Sequence, residues 1–336
     1  MSFDPSAIPT IDIAPFRSGE DRETVAAQVA EACERIGFLI VSGHGIPEST
    51  IENAFERSRA FFDQAQADKD HWHPTGPSRQ RGYHAFATRG LAYTLGEDAP
   101  PDLRETFFLG PVDDHSTHFA KLEAASNAYA PNLYPTAPEN AAEALIEIYR
   151  AYERVSEDLL RIFAVALGQS DDFFTRHSSR HFSILSSHHY PPLREVPKPG
   201  QLRTGAHTDF GAFTVLAMTE ADGGLEVRMP DGNWLGLRPR AGALVVNLGD
   251  MMARWTNGRW TSTLHRVANP KDLKSAASRR QTIGYFMHPD FDAEVRAVPS
   301  CVPSGETAKF PPISAGEHIA QKITASHVGA AAAPSS

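Results

Sequence analysis

Between residues 180 and 290 the sequence is a succession of short apolar segments separated by turn-forming residues. The segments most typical of β-strands are residues 182–190, 206–218, 224–228, 233–237, 243–248 and 280–287. Asp231–Gly232 lies between two of them and is a strong hairpin-turn dipeptide. Strands that follow one another with short turns predict an antiparallel sheet that closes on itself or folds into two packed sheets, because both arrangements protect strand edges.

The chain before this block has a different pattern. Residues 145–167 carry apolar side chains at helical spacing for about six turns and stop at Gly168, and shorter helices are expected before Gly37 and before Asp63. Residues 71–135 show poor periodicity and many Pro and Gly, which is typical of a binding loop or lid.

The two patterns together predict an α+β fold with a mainly β core, a double-stranded β-helix or jelly roll with flanking N-terminal helices. We expect a single unit over residues 1–327. It has a helical and loop region over 1–170 and the β core over 180–290. Residues 328–336 are rich in Ala, Pro and Ser and are expected to form a disordered tail.

His207 and Asp209 lie two positions apart in one of the apolar segments. In an extended chain, residues i and i+2 project to the same face, so an imidazole and a carboxylate can bind one cation. His265 is the third candidate ligand, because intervening strands can return it beside the first two. Two neutral imidazoles and one carboxylate form the facial triad of non-haem Fe(II) oxygenases. The same donor set suits catalytic zinc, so a zinc hydrolase remains an alternative at this point.

Composition limits the other classes of function. A net charge of -9 argues against nucleic acid as a partner, and 41% hydrophobic with 22% charged residues is ordinary for a globular protein. Two cysteines make no disulfide framework, and no apolar stretch approaches the roughly 18 residues of a membrane span. We therefore expect a cytoplasmic protein, a monomer or weak oligomer, with neither nucleic acid nor membrane as a partner.

Motifs along the chain give a more specific indication. In chain order they are Ile8-Pro-Thr-Ile-Asp12, Ala32-Cys-Glu-Arg-Ile-Gly-Phe38, Gly43-His-Gly-Ile-Pro47, His207-Thr-Asp-Phe-Gly211, Asn247-Leu-Gly-Asp250, Trp255-Thr-Asn-Gly258 and His265-Arg-Val267. With these motifs the chain resembles the isopenicillin N synthase-like branch of the 2-oxoglutarate-dependent oxygenases. The resemblance implies Fe(II) at the triad, 2-oxoglutarate as cosubstrate and O2. It also implies oxidation of a small organic molecule, by hydroxylation, desaturation or cyclisation, with release of succinate and CO2.

The resemblance also places the cosubstrate. The family's Tyr-Pro-Pro segment matches Tyr190-Pro-Pro192, and its Arg-x-Ser pair for the distal carboxylate of 2-oxoglutarate appears as Arg280-Gln-Thr282. In a strand, Arg280 and Thr282 share one face, whereas Arg279 points to the other. The segment 271–278 lengthens the connection that follows His265, so Arg279 remains the alternative to Arg280.

Other polar residues are predicted to have structural roles. His44 should fix a turn, Asp250 should order a turn, and only one of His188 and His189 should face inward, as a hydrogen-bonding neighbour of the site. His188 stands where many family members have Asn. Arg104, Glu105, Phe107 and Phe108 are expected to pack a strand onto the core with a surface ion pair, with substrate contact as the alternative.

Four other functions remain open from the sequence. They are an Fe(II) oxidase that needs no cosubstrate, an ethylene-forming activity on 2-oxoglutarate itself, the zinc hydrolase, and a non-catalytic binding module on the same fold. Arg280 and Thr282 favour cosubstrate use, and no obvious general base accompanies the triad at a motif spacing.

Overall fold

The computed structural model describes residues 7–76, 78, 80–91 and 100–331, and side chains as far as residue 324. The helices are α1 (Ala14–Ser18), α2 (Arg22–Arg35), α3 (Glu48–Phe62), α4 (Gln66–Asp70), α5 (Ala141–Ala166), α6 (Asp250–Trp255) and α7 (Ala315–Ala331). The strands are β1 (Thr10–Asp12), β2 (Phe38–Ser42), β3 (Gly82–His84), β4 (Glu105–Leu109), β5 (Ile184–Tyr190), β6 (Thr204–His207), β7 (Phe213–Met218), β8 (Leu225–Arg228), β9 (Trp234–Gly236), β10 (Leu244–Leu248), β11 (His265–Val267), β12 (Arg280–Met287), β13 (Glu294–Val295) and β14 (Ile313–Ser314).

Two sheets form the β core. The large sheet has eight strands in the order β1-β2-β10-β7-β12-β5-β4-β3, and the small sheet has four in the order β6-β11-β8-β9. Apolar side chains of both sheets pack into one buried cluster, with Phe38, Ile40 and Val245 from the large sheet and Leu225 and Val227 from the small one. The predicted jelly-roll core is confirmed, and the space between its sheets is where a site can form.

The N-terminal region covers the other face of the large sheet. Helix α5 buries a continuous apolar face against it, and the hydroxyl of Tyr152 donates a hydrogen bond of 3.2 Å to the carbonyl of Ile283 in β12. The same region supplies strands β1 and β2 to one edge of the large sheet and β3 and β4 to the other. Strands β3 and β4 lie in the segment 71–135, where the sequence showed no periodicity.

The segment 206–218 is not one continuous strand. His207 ends β6 in the small sheet and Phe213 begins β7 in the large sheet, so the chain crosses between the sheets at residues 208–212. The crossing packs closely on the start of α6, because a Cβ atom at Gly249 would lie 2.2 Å from the carbonyl oxygen of Gly211. Asp209 therefore lies just beyond the strand, and the expectation that strand alternation places it is wrong.

The C-terminal helix ends at Ala331, within the segment 328–336 that we expected to be a disordered tail, and residues 332–336 lie outside the described part of the chain. Among the helices described, none has the length and apolarity that crossing a membrane requires.

Two glycines that follow helices allow a matched test of the packing. Gly37 follows α2 and Gly168 follows α5, and both have a φ of +65°, which a residue with a Cβ atom adopts at a cost of roughly 1–2 kcal/mol. A Cβ atom at Gly37 would also lie 1.9 Å from the carbonyl oxygen of Thr261, whereas nothing lies within 4 Å at Gly168. Gly37→Ala should therefore lower the free energy of unfolding by about 2 kcal/mol more than Gly168→Ala, measured by urea denaturation. Equal losses would contradict this packing.

Candidate metal centre and its surroundings

Three potential metal ligands meet where the small sheet faces the crossing segment. His207 and His265 are direct partners in the β6–β11 pairing, and Asp209 follows β6. The Oδ1 atom of Asp209 lies 3.6 Å from Nε2 of His207 and 3.7 Å from Nε2 of His265. All three side chains are buried, and their ligand atoms lie within 4.8 Å of one another. The structure thus brings together the three residues that the sequence singled out.

Backbone carbonyls orient both imidazoles. Nδ1 of His207 lies 2.8 Å from the carbonyl oxygen of Gly205, and Nδ1 of His265 lies 3.0 Å from that of Thr263. Because a carbonyl only accepts, each Nδ1 carries the proton, and each Nε2 keeps a lone pair directed at the centre. This is the tautomer that a metal-binding histidine needs.

The large sheet holds the carboxylate. The hydroxyl of Thr214 donates to Oδ2 of Asp209 at 2.5 Å, and the amide of Asn247 donates to the same oxygen at 2.7 Å. Thr214 and Asn247 are direct partners in the β7–β10 pairing. With Oδ2 occupied, Oδ1 is the oxygen that faces the two imidazoles.

Burial and charge fix the protonation of these groups. Burial, assisted by the neighbouring His265, lowers the pKa of His207 to about 3, so its imidazole is neutral near pH 7. Burial acts to raise the pKa of Asp209, but His265, His207 and the two hydrogen bonds outweigh it and hold that pKa below its ordinary value. A neutral imidazole and an ionised carboxylate are the forms that bind a metal ion.

Arg280 is buried on the inner face of the large sheet, together with Tyr190 and Thr282. It is the register partner of Tyr190, and its guanidinium lies 5.0 Å from the centre of the Tyr190 ring. Its Nη2 atom donates to the sulfur of Met218 at 3.5 Å, whereas Nη1 has no hydrogen-bond partner among the described residues. Burial lowers the pKa of Arg280, because a charged group in this environment has lost its water.

Arg279 points to the opposite face. Its guanidinium binds both carboxylate oxygens of Asp63, at 2.7 and 3.3 Å, and Nε of Arg279 donates to His189 at 3.0 Å. Strand alternation therefore separates the two arginines as predicted, with Arg279 paired near the surface and Arg280 unpaired inside.

His188 and His189 also divide between the faces. His188 is buried between the sheets, where its ring nitrogens meet the hydroxyls of Thr106 at 2.8 Å and Ser186 at 3.0 Å. His189 faces the helices, 2.7 Å from the carboxylate of Glu105. The sequence correctly predicted that only one of the two faces inward.

Two other residues that the sequence singled out have structural roles. His44 accepts from the backbone of Ile46 at 3.1 Å and fixes a turn, as expected. Asp250 begins helix α6, and its backbone N–H donates to the carbonyl of Asp209 at 2.7 Å. Its carboxylate accepts from the hydroxyl of Thr208 at 3.2 Å and binds the ammonium of Lys322 at 2.6 Å, so it orders the crossing segment, as expected.

The expected surface ion pair of Arg104 with Glu105 is wrong. Both residues are largely buried and point to opposite faces of the sheet, so each has a different partner. Glu105 binds Lys69 at 2.8 Å on the helix side, and Arg104 binds Asp102 at 3.1 Å on the inner side. Sequence patterns contained no signal for Asp102 or Thr214, because their partners lie in other segments of the chain. Asn247 was part of a family motif, but the motif did not indicate that its amide binds Asp209.

Comparison with known proteins identifies the family of this fold and site. The model described as the 2OG-Fe(II) oxygenase superfamily matches residues 181–289, and the model described as non-haem dioxygenase in morphine synthesis N-terminal matches residues 8–137. A 2-oxoglutarate-Fe(II) type oxidoreductase of Emericella nidulans is 31% identical over 94% of this chain and 89% of its own length. Homoarginine-6-hydroxylase of Oryza sativa is 31% identical over 98% of this chain and 100% of its own.

A solved structure agrees with these relatives. A full-length Neurospora crassa protein, crystallised in complex with alpha-KG, which is 2-oxoglutarate, superposes with a TM-score of 0.83 at 26% identity. The match covers 96% of this chain and 98% of that one. The resemblance seen in the sequence motifs is thereby confirmed.

The bond from Thr214 to Asp209 can be tested with metal alone. Thr214→Val keeps the shape of the side chain and removes the donor, so Oδ2 of Asp209 loses one of its two partners. Calorimetric titration with Co(II) should give an affinity about 10- to 100-fold weaker than that of the unaltered protein. Thr219→Val is the matched control, because the Thr219 hydroxyl contacts the backbone of Gln281 and not Asp209. Equal metal affinity in the two variants would show that Thr214 does not orient the ligand.

Proposed function

Since the chain belongs to the 2-oxoglutarate–Fe(II) oxygenase superfamily, we propose that His207, Asp209 and His265 hold its iron and that Arg280 holds its cosubstrate. The protein is an enzyme that oxidises a small organic molecule. When bound, Fe(II) and 2-oxoglutarate activate O2, so that a C–H bond of the substrate is oxidised while 2-oxoglutarate becomes succinate and CO2.

The donor set fits Fe(II). Two imidazole nitrogens with fixed tautomers and one carboxylate oxygen leave further coordination positions for exogenous ligands, as the facial triad of this enzyme class requires. The protein's part is to keep His207 neutral, to keep Asp209 ionised, and to hold the three side chains in the positions that the metal requires.

The proposed binding site of 2-oxoglutarate rests on the unpaired charge of Arg280. A buried guanidinium without a carboxylate is destabilising, because the charge has lost its water and gained no opposite charge. The distal carboxylate of 2-oxoglutarate supplies the missing partner, and the planar fork of arginine can meet it with two hydrogen bonds. Thr282 offers a hydroxyl on the same face, and the ring of Tyr190 holds the guanidinium from one side.

Two alternatives from the sequence lose support. A cosubstrate-independent oxidase would leave Arg280 buried without an anion. A zinc hydrolase would need a general base beside the triad. The carboxylate near β6, Asp102, already accepts hydrogen bonds from the Arg104 guanidinium and the backbone of Gly205, which gives it a structural role.

We also propose a cytoplasmic location and a monomeric or weakly associated state, with neither nucleic acid nor membrane as a partner. Cys33 and Cys301 are buried free thiols, which suits a reducing compartment.

His265→Ala should abolish metal binding and oxidation, because it removes one of the three ligands while α5 and the large sheet keep the fold intact. The measurements are iron content after anaerobic reconstitution, succinate release, and far-UV circular dichroism. His71→Ala is the control, since His71 is an exposed histidine whose ring lies against Trp72. Iron content and turnover at the level of the unaltered enzyme in His265→Ala would exclude His265 as a ligand.

The two adjacent arginines test the cosubstrate site. Removing one partner of a buried charge pair costs roughly 3–5 kcal/mol, so Arg280→Ala should weaken 2-oxoglutarate binding by at least about a hundredfold. Arg279→Ala should change it little, because Arg279 binds Asp63 on the other face. The readout is anaerobic titration of the metal-to-ligand charge-transfer band of the Fe(II) protein with 2-oxoglutarate. The opposite ranking of the two variants would assign the cosubstrate to Arg279.

A further inference from the structure

A second inward arginine lies on the same face as Arg280. Glu105 pairs with His189, so Arg104 stands beside Tyr190, and Tyr190 in turn pairs with Arg280. The two arginines are thus two strands apart, about 10 Å at the backbone, with Tyr190 between them. The side chain of Arg104 is only 9% exposed, so its charge is buried beside the site.

The carboxylate of Asp102 binds one edge of the Arg104 guanidinium. Nε and Nη2 of Arg104 donate to Oδ2 of Asp102 at 3.3 and 3.1 Å, and Oδ1 of Asp102 accepts from the backbone of Gly205 at 2.9 Å. Gly205 also supplies the carbonyl that orients His207. Arg104 is therefore fixed close to the metal centre, with its Nη1 edge turned away from Asp102.

The Nη1 edge meets only an uncharged ring. It lies 2.8 Å from Nδ1 and 3.1 Å from Nε2 of His188, whose two nitrogens already meet the hydroxyls of Thr106 and Ser186. Burial, together with the charges of Arg104 and Arg280, holds the pKa of His188 well below its ordinary value, so this ring is neutral. A neutral imidazole does not balance the charge of a guanidinium.

The charges around the site leave an excess of positive charge. The buried guanidiniums are Arg104, Arg203 and Arg280, and the buried carboxylates near them in the described part of the chain are Asp102 and Asp209. After Fe(II) and doubly charged 2-oxoglutarate are added, one positive charge remains uncompensated. The ring of Phe108 lies edge-on to His188 on the same side of the sheet.

We propose that the primary substrate is a small organic carboxylate, and that Arg104 binds its carboxylate beside the iron. The inference rests on the proposed function of the site. A carboxylate that binds the Nη1 edge of Arg104, which now meets only the neutral ring of His188, removes the excess charge, while the apolar ring of Phe108 contacts the rest of the molecule. In the competing interpretation, Arg104 only holds Asp102 and strand β6 in place.

The test uses anaerobic protein loaded with Fe(II) and 2-oxoglutarate, and a panel of aryl and alkyl carboxylic acids, each beside its own methyl ester. Binding is followed as a change in the charge-transfer band and is confirmed by calorimetry. Acids should bind at least about tenfold more tightly than their esters, because only the acid makes a charge-assisted pair with arginine. In Arg104→Gln, the affinity for the acids should fall by about tenfold or more, whereas the affinity for the esters should change by less than about twofold. The affinity for 2-oxoglutarate should stay unchanged.

Two further variants separate binding from folding. Arg104→Lys keeps the positive charge but lacks the planar guanidinium, so it should retain part of the preference for acids over esters. The double variant Asp102→Asn with Arg104→Gln removes both charges and leaves no carboxylate unpaired, and it should lose the preference as Arg104→Gln does. Arg161→Gln, which alters an exposed ion pair of α5, is the surface control.

Several results would overturn the inference. They are equal binding of acids and esters by the unaltered protein, binding confined to neutral or cationic compounds, no binding by any acid, and an undiminished preference for acids in Arg104→Gln or in the double variant. If the unaltered protein shows a normal charge-transfer band with 2-oxoglutarate, any of these results refutes only the inference that the substrate is an anion. Absence of the band from the unaltered protein refutes the proposed function itself.

Discussion

The carboxylate of Asp209 joins the two sheets of this protein. One oxygen faces the two imidazoles of the small sheet, and the other accepts hydrogen bonds from Thr214 and Asn247 in the large sheet. The metal centre therefore exists only when both sheets are in register, because each contributes an indispensable part. The β6–β11 pairing places the histidines, the β7–β10 pairing places the two donors, and the crossing at residues 208–212 carries the carboxylate between them.

The second constraint is the charge buried beside this centre. Arg280, Arg203 and Arg104 are three cations in a space with few carboxylates of its own. Each uncompensated buried charge costs several kcal/mol, so the fold retains these arginines against its own stability. Asp102 is the partner of Arg104 within the protein. The two ligands that we propose supply further negative charge, so that one face of a sheet can distinguish two anions. Arg280 lies on the central strand β12, while Arg104 immediately precedes β4, nearer the edge.

The sequence predicted the features of the site that depend on local strand geometry and on residue type. Strand alternation separated Arg280 from Arg279 and His188 from His189, and the residue types His, Asp and His pointed to the three side chains that meet in the candidate metal centre. Strands β3 and β4 were missed, because they are held by pairing with β5 and carry little alternation of their own. The position of Asp209 beyond its strand and the inward direction of Arg104 were also missed. Both depend on partners outside the local strand pattern, Asn247 and Asp102, and strand spacing contains no information about such pairs.

The most direct test of this account is a crystal structure of the protein grown anaerobically with Fe(II) and 2-oxoglutarate. We expect iron bound by Nε2 of His207, Nε2 of His265 and one oxygen of Asp209. The far carboxylate of 2-oxoglutarate should lie within hydrogen-bonding distance of the Arg280 guanidinium and the Thr282 hydroxyl. Iron bound elsewhere, or a far carboxylate that binds Arg279 instead of Arg280, would contradict the account.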